Sequence, residues 1–203
     1  MSDVPLVPGR VYGLRLWRVV ASEHGERLVS PDLAVEWPTG GLPLAARCER
    51  HGHAAPAPGC KCGVCAWHPR TSTARKVMQW RWFLPGIVEA WGAVEVHYAG
   101  FRAEWARPHT LISVPSRFPK QVERLAETYH AEIVELSRPV ALVRHCERSG
   151  LGCDEPTVSA LLGDEYEQAR RATRRQRTAE AAWVAGAGLM IGAPVAAAAL
   201  GLF

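Results

Sequence analysis

Residues 48–68, CERHGHAAPAPGCKCGVCAWH, hold four of the chain's six cysteines and three of its eight histidines. So many soft ligands in one short segment restrict the fold more than any other feature. Pro56, Pro58 and Gly59 disfavour regular structure there, and unprotected thiols exposed on such a loop are open to oxidation. A bound ion resolves both problems. Zinc takes about four nitrogen or sulfur ligands in a tetrahedron, and thiolates and imidazoles suit it. The spacing is Cys48-x4-His53-x6-Cys60-x-Cys62-x2-Cys65, with His51 and His68 close by. The predicted ligands are Cys48, His53, Cys60, Cys62 and Cys65, more than one ion requires, and His51, His53 and Cys65 compete to complete the set. Gly63 is expected to let backbone N–H groups approach the Cys62 sulfur. A [2Fe–2S] cluster on Cys48, Cys60, Cys62 and Cys65 is the alternative occupant. Glu49 is the one acid in the segment, and the surplus of ligands favours a closed, structural site over a catalytic zinc with an open position.

The redox argument agrees. The start, MSDVPLVPGR, has no apolar run behind a basic stretch, so no secretory signal is expected. In a reducing compartment cysteines stay free or bind metal. The single residue between Cys60 and Cys62 also argues against independent disulfide bridges.

Around this loop the chain reads as an α+β protein, mostly antiparallel β. A small barrel-like domain over residues 1–153 carries the metal-stapled loop, and a long C-terminal helix follows. VYGLRLWRVV from residue 11 is a strand, with Trp17 and Val19 on one face and Leu14 and Leu16 on the other. HGERLVSP and LAVEWPTGG are shorter strands. Residues 86–114 form a long hairpin turning near Ala99–Gly100, with Phe101, Ala103 and Trp105 on one face. Gly92 predicts a bulge. A helix is expected over Lys120–Tyr129, with Val122, Leu125 and Ala126 as its apolar stripe. AEIVEL returns as a strand, residues 137–153 are loop, and EPTVSALLG is a short helix.

The metal segment and the hairpin together resemble a family of uncharacterised actinobacterial proteins over about residues 11–115. The shared pattern is a Cys, then His-x-Ala-Pro, then Cys-x-Cys-Gly, here Cys48, His53–Pro56 and Cys60–Gly63. The resemblance implies no activity. It favours Cys48, His53, Cys60 and Cys62 as ligands, and relatives carry an aromatic where Cys65 stands. The Trp-Gly-x-Val hairpin also resembles PUA-type barrels, some of which bind RNA, by analogy of fold alone.

The last fifty residues differ in character. Residues 154–180 form a basic helical segment, with Asp164 and Glu167 placed as a capping box. Residues 181–203 carry no charged side chain. They are preceded by Arg170, Arg171, Arg174, Arg175 and Arg177, the basic flank expected at the cytoplasmic end of a membrane helix. About 20 apolar residues can cross a bilayer, although Ala and Gly dominate here and Pro194 kinks the helix. Gly188, Gly192 and Ala196 recur every four residues as a small-residue seam for helix association. A packed soluble tail is the competing reading.

The 24 basic residues are almost all arginine. Arg, Ala, Gly and Pro rise together, as GC-rich coding produces, and a net charge of +4 does not by itself indicate nucleic acid. No Gly-x-Ser-x-Gly, P-loop or dinucleotide fingerprint is present. His97 with Glu95, and Glu104 across from them, form an acid–base pair on paper and a polar cross-strand pair by default. Cys146 and Cys153 match no redox motif. Three functions follow in order of expectation. The first is a zinc-stapled binding or scaffolding module on the cytoplasmic face of the membrane, self-associating or partnered through its C-terminal helix. The second is a cytoplasmic nucleic-acid binder, and the third a metalloenzyme.

Overall fold

A computed structural model describes residues 9–31, 34–79, 82–113, 119–135 and 139–162, with Arg171 and Thr178 beyond them. The chain divides into two compact units, 1–163 and 164–203.

In the first unit, β1 (Val11–Ser22) turns at Glu23–His24 into β2 (Gly25–Val29) and pairs with it antiparallel. Two short strands follow, β3 (Leu44–Ala45) and β4 (Val64–Trp67), and then helix α1 (Thr71–Gln79). The hairpin of β5 (Leu84–Val96) and β6 (Gly100–Ser113) is the largest element. After it come α2 (Pro119–Tyr129), β7 (Glu132–Glu135), α3 (Pro139–Arg148) and α4 (Glu155–Leu162).

β6 is the organiser. One edge pairs antiparallel with β5. The other edge carries three short strands end to end: β4 on Gly100–Ala103, β3 on Trp105–Ala106 and β7 on Thr110–Ser113. β1 lies on the far side of β5 and meets β4 at one residue pair, Leu14 with Trp67.

This architecture corrects the expected α+β antiparallel barrel with a long C-terminal helix. Among the described residues strand predominates over helix, the helices are short, and the sheet is mixed and not assigned as a barrel. The cause is α2, which carries the chain back so that β7 re-enters beside β6 in the parallel sense, as a crossover allows and a hairpin does not. Residues 137–153, expected as loop, contain α3, and α1 was not foreseen. LAVEWPTGG contributes one bridge, Glu36 with Val29, rather than a strand. The expected helix beyond residue 163 lies outside the described residues, apart from Arg171 and Thr178, which are helical. Among the described residues, no helix is long and apolar enough to cross a membrane.

Helix α2 packs on β2, β6 and β7. Val122, Leu125 and Ala126 of α2 are buried, as the apolar stripe requires. They join Trp17, Leu28, Trp37, Val88, Ala90 and Phe101 in one core. Tyr129 closes it: its hydroxyl accepts from the Leu28 N–H at 2.8 Å and donates to the Trp37 carbonyl at 3.3 Å. β1 is not simply two-faced. Leu14, Leu16 and Trp17 are all buried, whereas a half-buried strand would alternate. The predicted bulge is present at Gly92, with φ +82° and a register shift between Trp91 and Val94. Opposite it the expected alternation slips: Phe101 and Ala103 are buried, Trp105 only partly, and Ala106 fully.

Candidate metal centre

The two ends of the Cys/His loop are fixed by the same strand. β3 lies against Trp105–Ala106, and the Ala46 N–H continues the pairing to the Glu104 carbonyl at 2.7 Å. Arg47 bridges to Ala54 across the loop. The chain returns as β4 against Ala103–Gly100. The chain therefore leaves the β6 edge beside Glu104 and returns to it beside Ala103, adjacent residues, so the loop folds back on itself. Turns at Cys48–Gly52 and Ala57–Cys60 complete it.

The loop gathers a Cys2His2 group. The ligand atoms of Cys48, His51, His53 and Cys60 all lie within 4.8 Å of one another, and such a group can hold a metal ion. The Cys48 and Cys60 sulfurs are 3.7 Å apart, and each lies 3.6 Å from His51 Nδ1. With zinc–sulfur and zinc–nitrogen bonds of about 2.3 and 2.05 Å, tetrahedral geometry gives S···S and S···N edges of about 3.8 and 3.6 Å. Three of the ligand atoms thus form one face of a zinc-sized tetrahedron. His53 is oriented by a contact of the kind that outer-shell partners provide. Its Nδ1 donates to the Ala54 carbonyl at 2.8 Å, which pushes the imidazole pKa up and leaves Nε2 as the lone-pair nitrogen. Its ring stacks on His51 with centroids 5.6 Å apart.

The thiols are unequal. The Cys62 backbone N–H bonds the Cys60 sulfur and, with its neighbours, brings that thiol down to about 7. Burial works against Cys48, but hydrogen bonds from the His51 backbone and ring outweigh it, and its pKa is lowered. Burial pushes Cys62 the other way, to about 11. The Cys62 thiol thereby also donates to the Cys60 sulfur.

Of the residues predicted from sequence, Cys48, His53 and Cys60 come together. His51, which sequence left as a competitor, joins them; the His-Gly-His spacing was the available signal. Cys62 stands beside the group, its sulfur 4.0 Å from His53 Nδ1. Cys65 lies outside it on the exposed face of β4, its thiol directed at the Gly63 carbonyl at 3.7 Å. His68 bonds the His97 carbonyl instead, at 3.1 Å. Gly63 has a different use from the one expected. It adopts φ +117°, and a Cβ there would come within 2.9 Å of Arg102 Cβ.

Two arginines, neither singled out by the sequence, bind the loop to the sheet. Arg102 of β6 donates Nη1 to the Cys60 carbonyl and Nε to His97 Nε2 at 3.0 Å, and its Nη2 is ion-paired with Glu95 at 2.9 Å. Arg15 of β1 donates Nη1 to the Cys65 carbonyl and Nη2 to Ser30 Oγ at 3.0 Å, while its guanidinium lies over Trp37. Arg102 also occupies Glu95 and His97, and Glu104 accepts the Ala93 N–H at the bulge. The acid–base trio suspected from sequence is therefore a clamp.

Arg171 is helical and exposed. Arg170, Arg174, Arg175 and Arg177, and the seam of Gly188, Gly192 and Ala196, lie outside the described residues.

The chain matches no family model, no curated protein and no solved structure.

Proposed function

We propose that this chain is a non-enzymatic binding module in which one structural zinc ion, held by Cys48, His51, His53 and Cys60, fixes the 48–62 loop to the sheet. The observation that carries this reading is the 3.7, 3.6 and 3.6 Å triangle of Cys48, Cys60 and His51. Four protein ligands leave no open position for water, which supports a structural rather than a catalytic ion. The compactness of the group supports a single ion over a dinuclear cluster, whose two ligand pairs sit on separate irons and are spread further apart. The apolar residues 181–203 behind their five arginines support a tether on the cytoplasmic face of the membrane.

The test is metal content and membrane partition measured on one preparation. One equivalent of zinc is expected, with the full chain sedimenting with membranes and a chain ending at Glu180 staying in the supernatant. A metal-free chain overturns the zinc reading. Full-length protein in the supernatant without detergent overturns the tether and leaves the zinc site standing.

A further inference from the structure

We infer that the surface formed by the metal loop, the end of β4 and the tip of the β5–β6 hairpin binds single-stranded nucleic acid. The inference deepens the binding-module reading and rests on it, because the metal loop supplies part of the surface.

Charge is the first observation. Between residues 47 and 76 stand six cations, Arg47, Arg50, Lys61, Arg70, Arg75 and Lys76, against the single acid Glu49. All six are exposed, and none pairs with a carboxylate among the described residues. By contrast, Arg10 and Arg107 meet at Glu89, Arg27 meets Glu36 and Arg124 meets Glu26. The metal loop and the segment that follows it thus carry a run of six exposed cations without a carboxylate partner among the described residues.

Aromatic placement is the second. Tyr98, at the hairpin tip, is 87% exposed, and Trp67, at the end of β4, is 38% exposed. Trp67 pairs across the strands with Gly100, and the His68 N–H bonds the Ala99 carbonyl, so the tip and the β4 end are one surface. Gly100 permits this closeness: a Cβ there would fall 2.0 Å from the Ala66 carbonyl oxygen. The Arg70 guanidinium lies 4.8 Å over the Tyr98 ring. One face of Tyr98 is thus capped by a cation, and the other is open to a base.

Cations that track phosphates, interleaved with aromatic faces on which bases stack, are what single strands require. A duplex hides its base faces, so the aromatics favour an unpaired strand. An anionic membrane is the other partner of basic and aromatic surfaces, but it calls for side chains that penetrate. Tyr98 is capped by the Arg70 guanidinium, a charge that an inserted ring would carry into the lipid, and this favours stacking.

The experiment uses the full chain with its metal content measured, and a fluorescein-labelled single-stranded uridine oligonucleotide read by anisotropy. Saturable binding is expected, weakening with salt at a logarithmic slope of about −2 if three phosphates are neutralised. Tyr98→Ala is expected to weaken it about five- to a hundredfold. Lys61→Ala and Arg70→Ala should each reduce the slope by about 0.7. Arg124→Ala, on the paired Arg124–Glu26 site, should change nothing. Thermal melts of each variant separate loss of binding from loss of fold. Zinc-replete protein that fails to bind the oligonucleotide overturns the inference and leaves the zinc reading intact. Unchanged affinity in Tyr98→Ala and Arg70→Ala also overturns it, as does a partition of the full chain into phosphatidylserine–phosphatidylcholine vesicles that these two variants abolish, since that would assign the surface to lipid. Binding by metal-free protein that these variants abolish keeps the inference and removes the zinc reading.

Discussion

The sulfurs of Cys48 and Cys60 stand 3.7 Å apart although eleven residues separate them in sequence. That separation is one edge of a thiolate–zinc tetrahedron. Cys60→Ser removes a corner and should abolish stoichiometric zinc. Loss of a closed site should cost at least about 3 kcal/mol, which for a chain of this size lowers Tm by about 6–12 °C. Cys65→Ser, outside the group, should leave both zinc and Tm unchanged. Cobalt in place of zinc should give the visible ligand-field bands of a tetrahedral site in the wild type and lose them in Cys60→Ser. Equal zinc content in the two serine variants would falsify the ligand assignment.

Arg102 joins the loop, through the Cys60 carbonyl, to Glu95 and His97 on the hairpin. Its side chain is 14% exposed, so its hydrogen bonds are largely shielded. Arg102→Ala should destabilise the domain by about 1.5–3 kcal/mol and weaken zinc binding about 10- to 100-fold, as loss of an outer-shell partner does. Arg102→Lys should not restore it, because a point charge cannot serve three acceptors arranged for a planar fork. Competition with a chelator of known affinity, alongside urea unfolding, measures both quantities.

His145 is 2% exposed and lies between two partners. Its Nδ1 is 3.3 Å from Glu132, and its Nε2 is 2.7 Å from the Thr110 hydroxyl, which in turn is 2.8 Å from His109 Nδ1. Burial holds the imidazole below its ordinary 6.5, against the pull of Glu132. The unfolded chain therefore takes up a proton before the folded one does. Stability should be full above about pH 6.5 and fall as pH drops below it, until the folded-state pKa is passed. His145→Gln keeps polar partners but cannot titrate, and its stability profile should be flatter in that window. Urea unfolding from pH 5 to 8 decides; equal slopes for the two proteins would remove His145 as the source.

Gly86 has no room for a side chain. A Cβ would lie 2.3 Å from the Thr110 carbonyl oxygen and 2.6 Å from Trp17 Cζ3. Neither neighbour can yield, since one is backbone and the other the end of a fully buried indole. Gly86→Ala should destabilise by about 1–3 kcal/mol or more, read as a lower denaturant midpoint with the metal content unchanged.

The sequence by itself determined the elements whose signal is local. Period-two runs and a Gly at the turn marked the β5–β6 hairpin, Val122, Leu125 and Ala126 marked α2, and the crowding of Cys and His marked the loop. It also named Cys48, His53 and Cys60, since short spacing alone brings such ligands close. Tertiary structure decided what depends on distant partners. β7 became parallel because α2 reversed the chain between it and β6. Pro139–Arg148 became helical through contacts with β7 and α4, which lie elsewhere in the chain. His51 entered the ligand group while Cys65 did not, because β4 directs alternate side chains to opposite faces and Cys65 falls on the outer one. Arg15 and Arg102, which hold the loop down, were invisible in the sequence for the same reason: a guanidinium on a strand reveals its acceptors only when the strands are paired.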